Sequence, residues 1–206
     1  KNFKINYEGE ISINPFDLDL NINLNYNKIS KLFKFNSILT ELFKSGLLFN
    51  DHISLNTSIT INSNRGEDFF DDAEIFFNIF NGKINFDNTK FFNKKIGLLR
   101  VSDSNLFLQN DQLILNTNLF FNISDSDRLF TFLNTKKTSR KEIKGILINI
   151  DYDFTNNKIK FNSFLIDNKK LSDESIYILE KFNDNNSNNL IKTRRLLNEL
   201  LNVYAG

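Results

Sequence analysis

Residues 16–26 read Phe-Asp-Leu-Asp-Leu-Asn-Ile-Asn-Leu-Asn-Tyr, so every second residue is apolar and each residue between is Asp or Asn. Because successive side chains of a β-strand point to opposite faces of a sheet, this pattern predicts a strand with one apolar face and one hydrated face. An α-helix would spread the same apolar residues around its whole surface. The stretch therefore predicts a sheet whose apolar face must be buried or used.

The same alternation recurs along the chain and is divided by turn signals. Asn81-Gly82 predicts a two-residue hairpin, because both residues tolerate positive φ. Asn110-Asp111 and Asn156-Asn157 predict further turns. Residues 97–101 and 105–109 predict two separate strands. Ile11 and Ile13 belong to an earlier strand, and the remaining predicted strands are 53–61, 74–80, 83–87, 112–122, 146–154 and 158–166.

Four segments change to helical spacing. Apolar residues at intervals of three and four predict a helix near 28–46, which Gly46 would end. Residues 127–134 predict a short helix capped by Ser126 or Asp127. Towards the end of the chain, Ser172 is the expected N-cap of one helix, and a last helix runs from about 190 to 203.

Together these patterns predict a mainly β fold with α additions, of the α+β class. We expect a long twisted antiparallel sheet or meander, with one helix in the N-terminal half and helices at the C-terminal end. Residues 1–170 would form the β domain. Residues 171–206 would form a helical segment that packs on the sheet or extends from it.

The composition excludes several classes of function. The net charge of +1, from 26 basic and 25 acidic residues, provides no general attraction for nucleic acid, so none is expected as a partner. The absence of cysteine excludes disulfides and thiolate chemistry. Seven scattered glycines form no phosphate-binding loop, and we expect no cofactor. No apolar run reaches the roughly 18–20 residues that span a bilayer.

Residues capable of catalysis or metal binding are few. His52 is the single histidine and follows Asp51, but no G-x-S-x-G elbow accompanies it, so a surface loop position is expected. Asp151 and Asp153 share one face of a strand, which we interpret as its hydrated side. The acidic segment 67–74 lacks the spacing of a calcium loop, so no metal site is predicted. We expect a protein that is not an enzyme.

Two basic stretches could meet phosphate groups. The denser stretch is a candidate contact for anionic lipid headgroups, and solvated surface charge is the alternative interpretation. The second stretch lies on the last helix. The first comprises Lys136, Lys137, Arg140, Lys141 and Lys144, and the second comprises Lys192, Arg194 and Arg195.

Three stretches carry a resemblance to a known family. They are FFNIFNGKINFDNTKFFNKKIGLLRVSDSNLFLQNDQLILNTNLFFNI (76–123), GILINIDYDFTNNKIKFNSFLIDNKK (145–170) and NLIKTRRLLNELLNVYAG (189–206). Long alternating strands, Asn-Gly or Asn-Asp turns and a closing Asp-Asn-Lys are the shared features. In these features the chain resembles the C-terminal region of AsmA-like envelope proteins from bacteria with AT-rich genomes.

The resemblance implies a protein of the bacterial cell envelope. Such a protein is held in the inner membrane by an N-terminal anchor and lies mostly in the periplasm. It acts in outer-membrane biogenesis or phospholipid transport, through a curved antiparallel sheet whose apolar groove carries acyl chains. The family has no catalytic residues to transfer. Since the chain contains no Met, we expect it to be a fragment whose anchor lies elsewhere.

The alternating strands leave two roles open for their apolar face. That face could line a groove for phospholipid acyl chains, or it could be the closed core of a structural or adhesive β domain with no groove. A carbohydrate-active enzyme is a more distant alternative. The candidate residues for groove or core are Leu113, Leu115, Leu119, Phe121, Ile146, Ile148, Ile150, Tyr152 and Phe154.

Overall fold

The computed structural model describes residues 4–25, 38–62, 69–184 and 190–205. Within these ranges the chain forms one sheet of eleven strands and four α-helices. The helices are α1 (Ile38–Lys44), α2 (Ser126–Leu133), α3 (Asp173–Asp184) and α4 (Leu190–Ala205), and a 3₁₀ turn spans Lys137–Ser139. The strands are β1 (Lys4–Ile13), β2 (Phe16–Asn25), β3 (Ile53–Asn62), β4 (Asp72–Phe80), β5 (Lys83–Asn85), β6 (Lys90–Asn93), β7 (Gly97–Gln109), β8 (Gln112–Ile123), β9 (Gly145–Asp153), β10 (Lys158–Ile166) and β11 (Lys169–Lys170).

The strands follow one another almost in chain order. The order across the sheet is β1-β2-β3-β4-β5-β7-β8-β9-β10-β11, and β6 pairs with β4 and β7. This architecture confirms the predicted class, mainly β with α additions. One pair departs from the antiparallel prediction, because β2 and β3 run parallel. The connection between them is long and contains α1, which allows the chain to return to the same end of the sheet, as parallel pairing requires.

The predicted hairpin turns are present. Asn81 and Gly82 have φ values of 48° and 69°, and they join β4 to β5. Asn110 and Asp111, at 49° and 61°, join β7 to β8. Paired positive φ values match the right-handed twist of the strands that such turns connect. These side-chain types therefore fix the register of β4 with β5 and of β7 with β8.

Strand β7 is continuous, whereas the sequence predicted two strands. Its register against β8 shifts between Ser102 and Asn105. Asp103 in this interval has a φ of 50°, and its carboxylate accepts a hydrogen bond of 2.9 Å from Asn118. An extra residue accommodated in this way is a β-bulge, which bends a strand without ending it.

The helices begin and end near the predicted residues. Gly46, with a φ of 76°, follows α1, although part of the helix predicted near 28–46 lies outside the described residues. The N-cap of α2 is Asp125 rather than Ser126 or Asp127, since its carboxylate accepts a hydrogen bond of 3.0 Å from the backbone N–H of Arg128. Helix α3 begins directly after Ser172, as predicted.

The main core lies between the C-terminal half of the sheet and three helices. Helices α2, α3 and α4 contribute buried residues to one cluster with β8, β9 and β10. The C-terminal helices thus lie against the sheet over β9 and β10. Those buried residues are Ile96, Ile123, Leu129, Phe130, Leu133, Ile143, Ile146, Ile150, Phe161, Phe164, Ile166, Leu179, Leu196, Leu200 and Leu201.

Two smaller clusters cover other parts of the sheet. In one, Phe43 of α1 and the following Leu48 and Phe49 pack on buried residues of β4, β5, β7 and β8. The other centres on Ile61 and Ala73. A chain of aromatic rings connects this cluster to the main core, because Phe69 contacts Phe70, Phe121 and Phe132, and Phe70 contacts Phe91.

The two long edges of the sheet differ. At one edge, β11 pairs with the end of β10, at Leu165 and Ile166. Further along β10, the side-chain amide of Asn183 in α3 accepts a hydrogen bond of 2.9 Å from the backbone N–H of Phe161 and donates one of 2.8 Å to its carbonyl. These two bonds replace those of a neighbouring strand. At the opposite edge, β2 is the single neighbour of β1 among the strands that the structure describes.

We expect Asn183→Ala to destabilise the chain and to promote self-association. The substitution leaves the N–H and carbonyl of Phe161 without partners, which costs about 1–3 kcal/mol for each group that stays buried. It also exposes an edge that can pair with another chain. Urea unfolding and light scattering measure the two effects. Asn162→Ala is the control on the same strand, and equal behaviour of both variants would contradict a role for Asn183 at this edge.

Candidate apolar surface of the sheet

Strand register places the buried apolar residues of the strands on one face of the sheet. From β2 to β4, Ile22, Ile59 and Ile75 lie in one row across the strands. From β8 to β9, Leu119 faces Ile148, and Phe121 faces Ile146. We call the surface formed by these rows the apolar face. All three core clusters lie on this side. A ligand could bind the apolar face only where no helix or loop covers it.

The structure places most of the nine candidate residues within the core. Leu113, Ile146 and Ile150 are buried. Half-buried residues pack against the clusters around them, namely Leu115, Leu119, Phe121 and Ile148. Of the two alternatives left open by the sequence, these seven positions therefore correspond to core.

The last two candidates lie at the end of β9. The rings of Tyr152 and Phe154 meet edge to face with centroids 4.6 Å apart. The hydroxyl of Tyr152 donates a hydrogen bond of 2.6 Å to Asn157 in the following turn. Phe154 is exposed. This pair of rings lies at the hairpin between β9 and β10.

The uncovered part of the apolar face lies at the other end of the sheet, on β1 and β2. Tyr7, Ile11 and Ile13 are 78%, 64% and 83% exposed, and Phe16 is 39% exposed. Register pairs Tyr7 with Ile22, which packs on the cluster around Ile61, so these residues belong to the apolar face. We call Tyr7, Ile11, Ile13 and Phe16 the open strip. Its sequence alternates like that of the covered strands, so alternation alone could not distinguish it.

The candidate headgroup contacts differ in whether their side chains are exposed or already bound to other residues. Lys136 and Lys137 are exposed. Arg140 donates two hydrogen bonds of 3.2 Å to the carbonyl of Thr135. The ammonium of Lys141 lies 5.2 Å from the ring centroid of Tyr204. Arg140 and Lys141 thus stabilise the loop after α2, and Lys136 and Lys137 are the more available charges.

Asp167 joins α4 to the start of β9. One of its carboxylate oxygens accepts hydrogen bonds from the N–H groups of Lys144 and Gly145, at 2.7 and 3.0 Å. The other lies 3.3 Å from the hydroxyl of Tyr204. Burial and the neighbouring carboxylate of Asp167 raise the pKa of Tyr204, since both disfavour a phenolate. The contact therefore favours a neutral tyrosine that holds the end of α4 in place.

The residues considered for catalysis have structural roles. His52 is exposed in a turn, where its backbone N–H donates to the side chain of Asn50. Asp151 accepts a hydrogen bond of 2.6 Å from Asn116 on the neighbouring strand. Asp153 accepts from the two backbone N–H groups that begin the next turn. Asp151 is thus engaged by the neighbouring strand, and Asp153 by the turn that follows its own strand.

The acidic segment contributes ion pairs. Asp72 lies 2.8 Å from Lys94, and Glu74 lies 2.9 Å from Lys90. The hydrogen bond and the charge of Asp72 raise the pKa of Lys94. Residues 63–68, which include part of this segment, lie outside the described residues. Within the described ranges, no group of three or more potential ligands could hold a metal ion.

The opposite face of the sheet has an open cavity of about 550 Å³ near the start of β9. Phe120 and Leu147 form its apolar floor, and these residues pair across β8 and β9 with side chains directed away from the core. Glu142 and Lys144 are among its polar walls. The cavity is separated from the apolar face by the sheet itself.

Comparison of the chain with models of protein families, with curated proteins and with solved structures finds no match. Among the described helices, none has the length and apolar character needed to cross a bilayer.

Proposed function

We propose that the chain is a non-enzymatic segment of an AsmA-like envelope protein that acts in phospholipid transfer or outer-membrane biogenesis. Its place would be the periplasmic side of the inner membrane of a bacterium. The observation that carries the proposal is the open strip, an uncovered extension of a face that is elsewhere the core of the protein. The resemblance of residues 76–123, 145–170 and 189–206 to that family is its second support.

The dimensions of the open strip suit an acyl chain. From Tyr7 to Ile13 the strand advances six residues, which corresponds to about 20 Å at about 3.3 Å per residue. One leaflet of a bilayer contributes about half of its roughly 30 Å hydrocarbon thickness. An acyl chain laid on the strip would remove apolar surface from water on both partners, a gain of about 0.8 kcal/mol per buried methylene group.

The proposal assigns lipid contact to the open strip rather than to the nine residues predicted from the sequence. Most of those residues pack against α2, α3, α4 or the region of α1, so a lipid could reach them only by displacing a helix. Of the candidate headgroup contacts, Lys136 and Lys137 are exposed and are the more available, and they lie on the loop that follows α2. Because α2 packs over the end of the sheet away from the open strip, the proposal does not assign them to the headgroup of a lipid bound there.

We expect the double variant Ile11→Asp, Ile13→Asp to remain folded and to lose bound phospholipid. Both side chains are mostly exposed, so the charges cost little stability, but they make the strip polar. Mass spectrometry of co-purified lipid and circular dichroism measure the two properties.

Phe80→Asp is the matched control, because Phe80 is 63% exposed and lies beside the Asn81-Gly82 turn. It should retain the lipid of the original chain. Equal lipid content in the double variant and the original chain would refute the proposed contact.

A structural or adhesive β domain without a lipid groove is the second candidate. It is favoured by the helices that cover the apolar face over β8, β9 and β10. This alternative requires that the original chain carry no phospholipid after purification from a membrane-containing lysate. It also requires that vesicles of anionic phospholipid transfer no labelled lipid to it.

A further inference from the structure

The outward side of β1 is a free sheet edge among the strands that the structure describes. Strand β1 has ten residues, and all of its side chains from 6 to 13 are exposed. Within the described ranges its single neighbour is β2, so one set of its N–H and carbonyl groups faces away from the described sheet. Long edges with exposed apolar side chains are templates for pairing with another strand. The opposite edge, by contrast, is closed by β11 and Asn183.

The hydrated side of the β1–β2 hairpin is acidic. Glu8 and Glu10 lie on β1, and Asp17 and Asp19 lie on β2. Glu10 is directly opposite Asp19 in the register, an arrangement of like charges that disfavours the pair. Among the described residues, none of these four carboxylates has an ion-pair partner. A basic group added beside β1 would relieve this repulsion.

This charge pattern argues against a second copy of the chain as the occupant. Antiparallel pairing of β1 with itself about its centre places Glu8 opposite Glu8, or Glu8 opposite Glu10. Either register brings carboxylates together. Head-to-tail pairing with β10 of another copy is blocked. Asn183 already hydrogen-bonds to the outward backbone N–H and carbonyl of Phe161, and β11 already pairs with the backbone near Ile166.

We propose that the free edge of β1 binds an extended partner strand in which basic residues alternate with apolar ones. The partner strand pairs with the outward backbone groups of β1. Its Lys or Arg side chains meet Glu8 and Glu10 on the hydrated side. Its apolar side chains continue the row of Tyr7, Ile11 and Ile13 on the other side. The partner's apolar side chains would lie beside the open strip, but the specificity comes from backbone pairing and from the acidic side of the hairpin, so these two contributions can be tested without the proposed lipid contact.

A set of four peptides tests the proposal on the full chain. The probe is a fluorescent heptapeptide of sequence Lys-Ile-Lys-Val-Lys-Ile-Lys, and its charge-reversed partner has Glu in place of Lys. A scrambled peptide of the same composition removes the alternation. A version N-methylated at alternate residues along one edge removes the donors needed for pairing. Fluorescence anisotropy should show binding of the first peptide at least tenfold tighter than binding of the other three.

The variant Glu8→Lys, Glu10→Lys tests the charge contribution. Both residues are exposed, so the fold should persist. Affinity for the basic peptide should fall at least tenfold, and the acidic peptide should become the better ligand. Hydrogen exchange of the original chain should slow in β1 when the basic peptide is bound. Asp127→Lys, an exposed carboxylate on α2, is the control and should leave both affinities unchanged.

Three results would overturn the proposal. Equal binding of the scrambled peptide would show attraction by charge alone, and equal binding of the N-methylated peptide would exclude strand pairing. Protection of β1 in a concentration-dependent dimer without peptide would identify a second copy as the occupant. Lipid retention is measured separately with Ile11→Asp, Ile13→Asp. A failure of the lipid proposal can therefore be told apart from a failure of the strand-pairing proposal.

Discussion

Replacing Ile146 with Asp should unfold the layer formed by β8–β10 and helices α2–α4. Ile146 is 3% exposed and lies in the register between Phe121 and Ile166. Loss of a buried aliphatic side chain of this size costs about 2–5 kcal/mol. An unpaired carboxylate in the same place adds several kcal/mol more. The sum is comparable with the whole stability of a typical domain, about 5–15 kcal/mol.

The matched control is the same substitution on the same face of the sheet, Ile11→Asp. Ile11 is 64% exposed, so its change should lie within about 0.5 kcal/mol of the original chain. Thermal unfolding followed by circular dichroism measures both variants. If Ile146→Asp were as stable as Ile11→Asp, the helices would not seal this part of the apolar face, and the predicted groove at β8 and β9 would regain support.

Local patterns in the sequence were sufficient to predict most elements. Period-two alternation predicted the strands, and Asn81-Gly82 predicted its hairpin because the turn depends on the two residues that form it. Strand β10 begins and ends at the predicted residues, since Asn157 and the Asp167-Asn168 turn bound it on both sides. These are features in which one or two side chains decide the backbone conformation.

Features that depend on distant parts of the chain could not be read in the same way. The parallel pairing of β2 with β3 follows from the path of the connection through α1. The bulge at Asp103 resembles a strand end in the sequence, because a bulge and a turn both favour a polar residue with positive φ. The choice of Asp125 over its neighbours as the cap of α2 depends on where the chain leaves β8.

The exposure of the apolar face also depends on distant parts of the chain and could not be predicted from local patterns. The nine predicted residues and the open strip have equivalent patterns, and each alternates apolar with polar residues. Which of them is covered is decided by where three helices distant in sequence pack. An apolar stripe on a helix, such as Leu196 and Leu200, predicts that it docks but not on which strands. Ile11 and Ile13 were therefore predicted as strand residues and Tyr7 was not, and none of the three was predicted as exposed surface.

Gly97 is the position where a single added methyl group should have the largest effect on the backbone. It begins β7, between β6 and β8, with a φ of 153° that is essentially restricted to glycine. A Cβ atom there would lie 2.0 Å from the carbonyl oxygen of Asn122, which belongs to the backbone of β8 and cannot rotate away. Strain and overpacking together predict a loss of about 2–6 kcal/mol for Gly97→Ala.

Gly46→Ala separates the two causes of this loss. Gly46 also has a positive φ, 76°, but an added Cβ would meet nothing within 4 Å. Its substitution should cost about 1–2 kcal/mol, the penalty of the left-handed conformation alone. Urea unfolding of both variants measures the difference. A larger loss for Gly97→Ala would show that the close approach of β7 to β8 stabilises the sheet, whereas equal losses would show that φ alone requires the glycine.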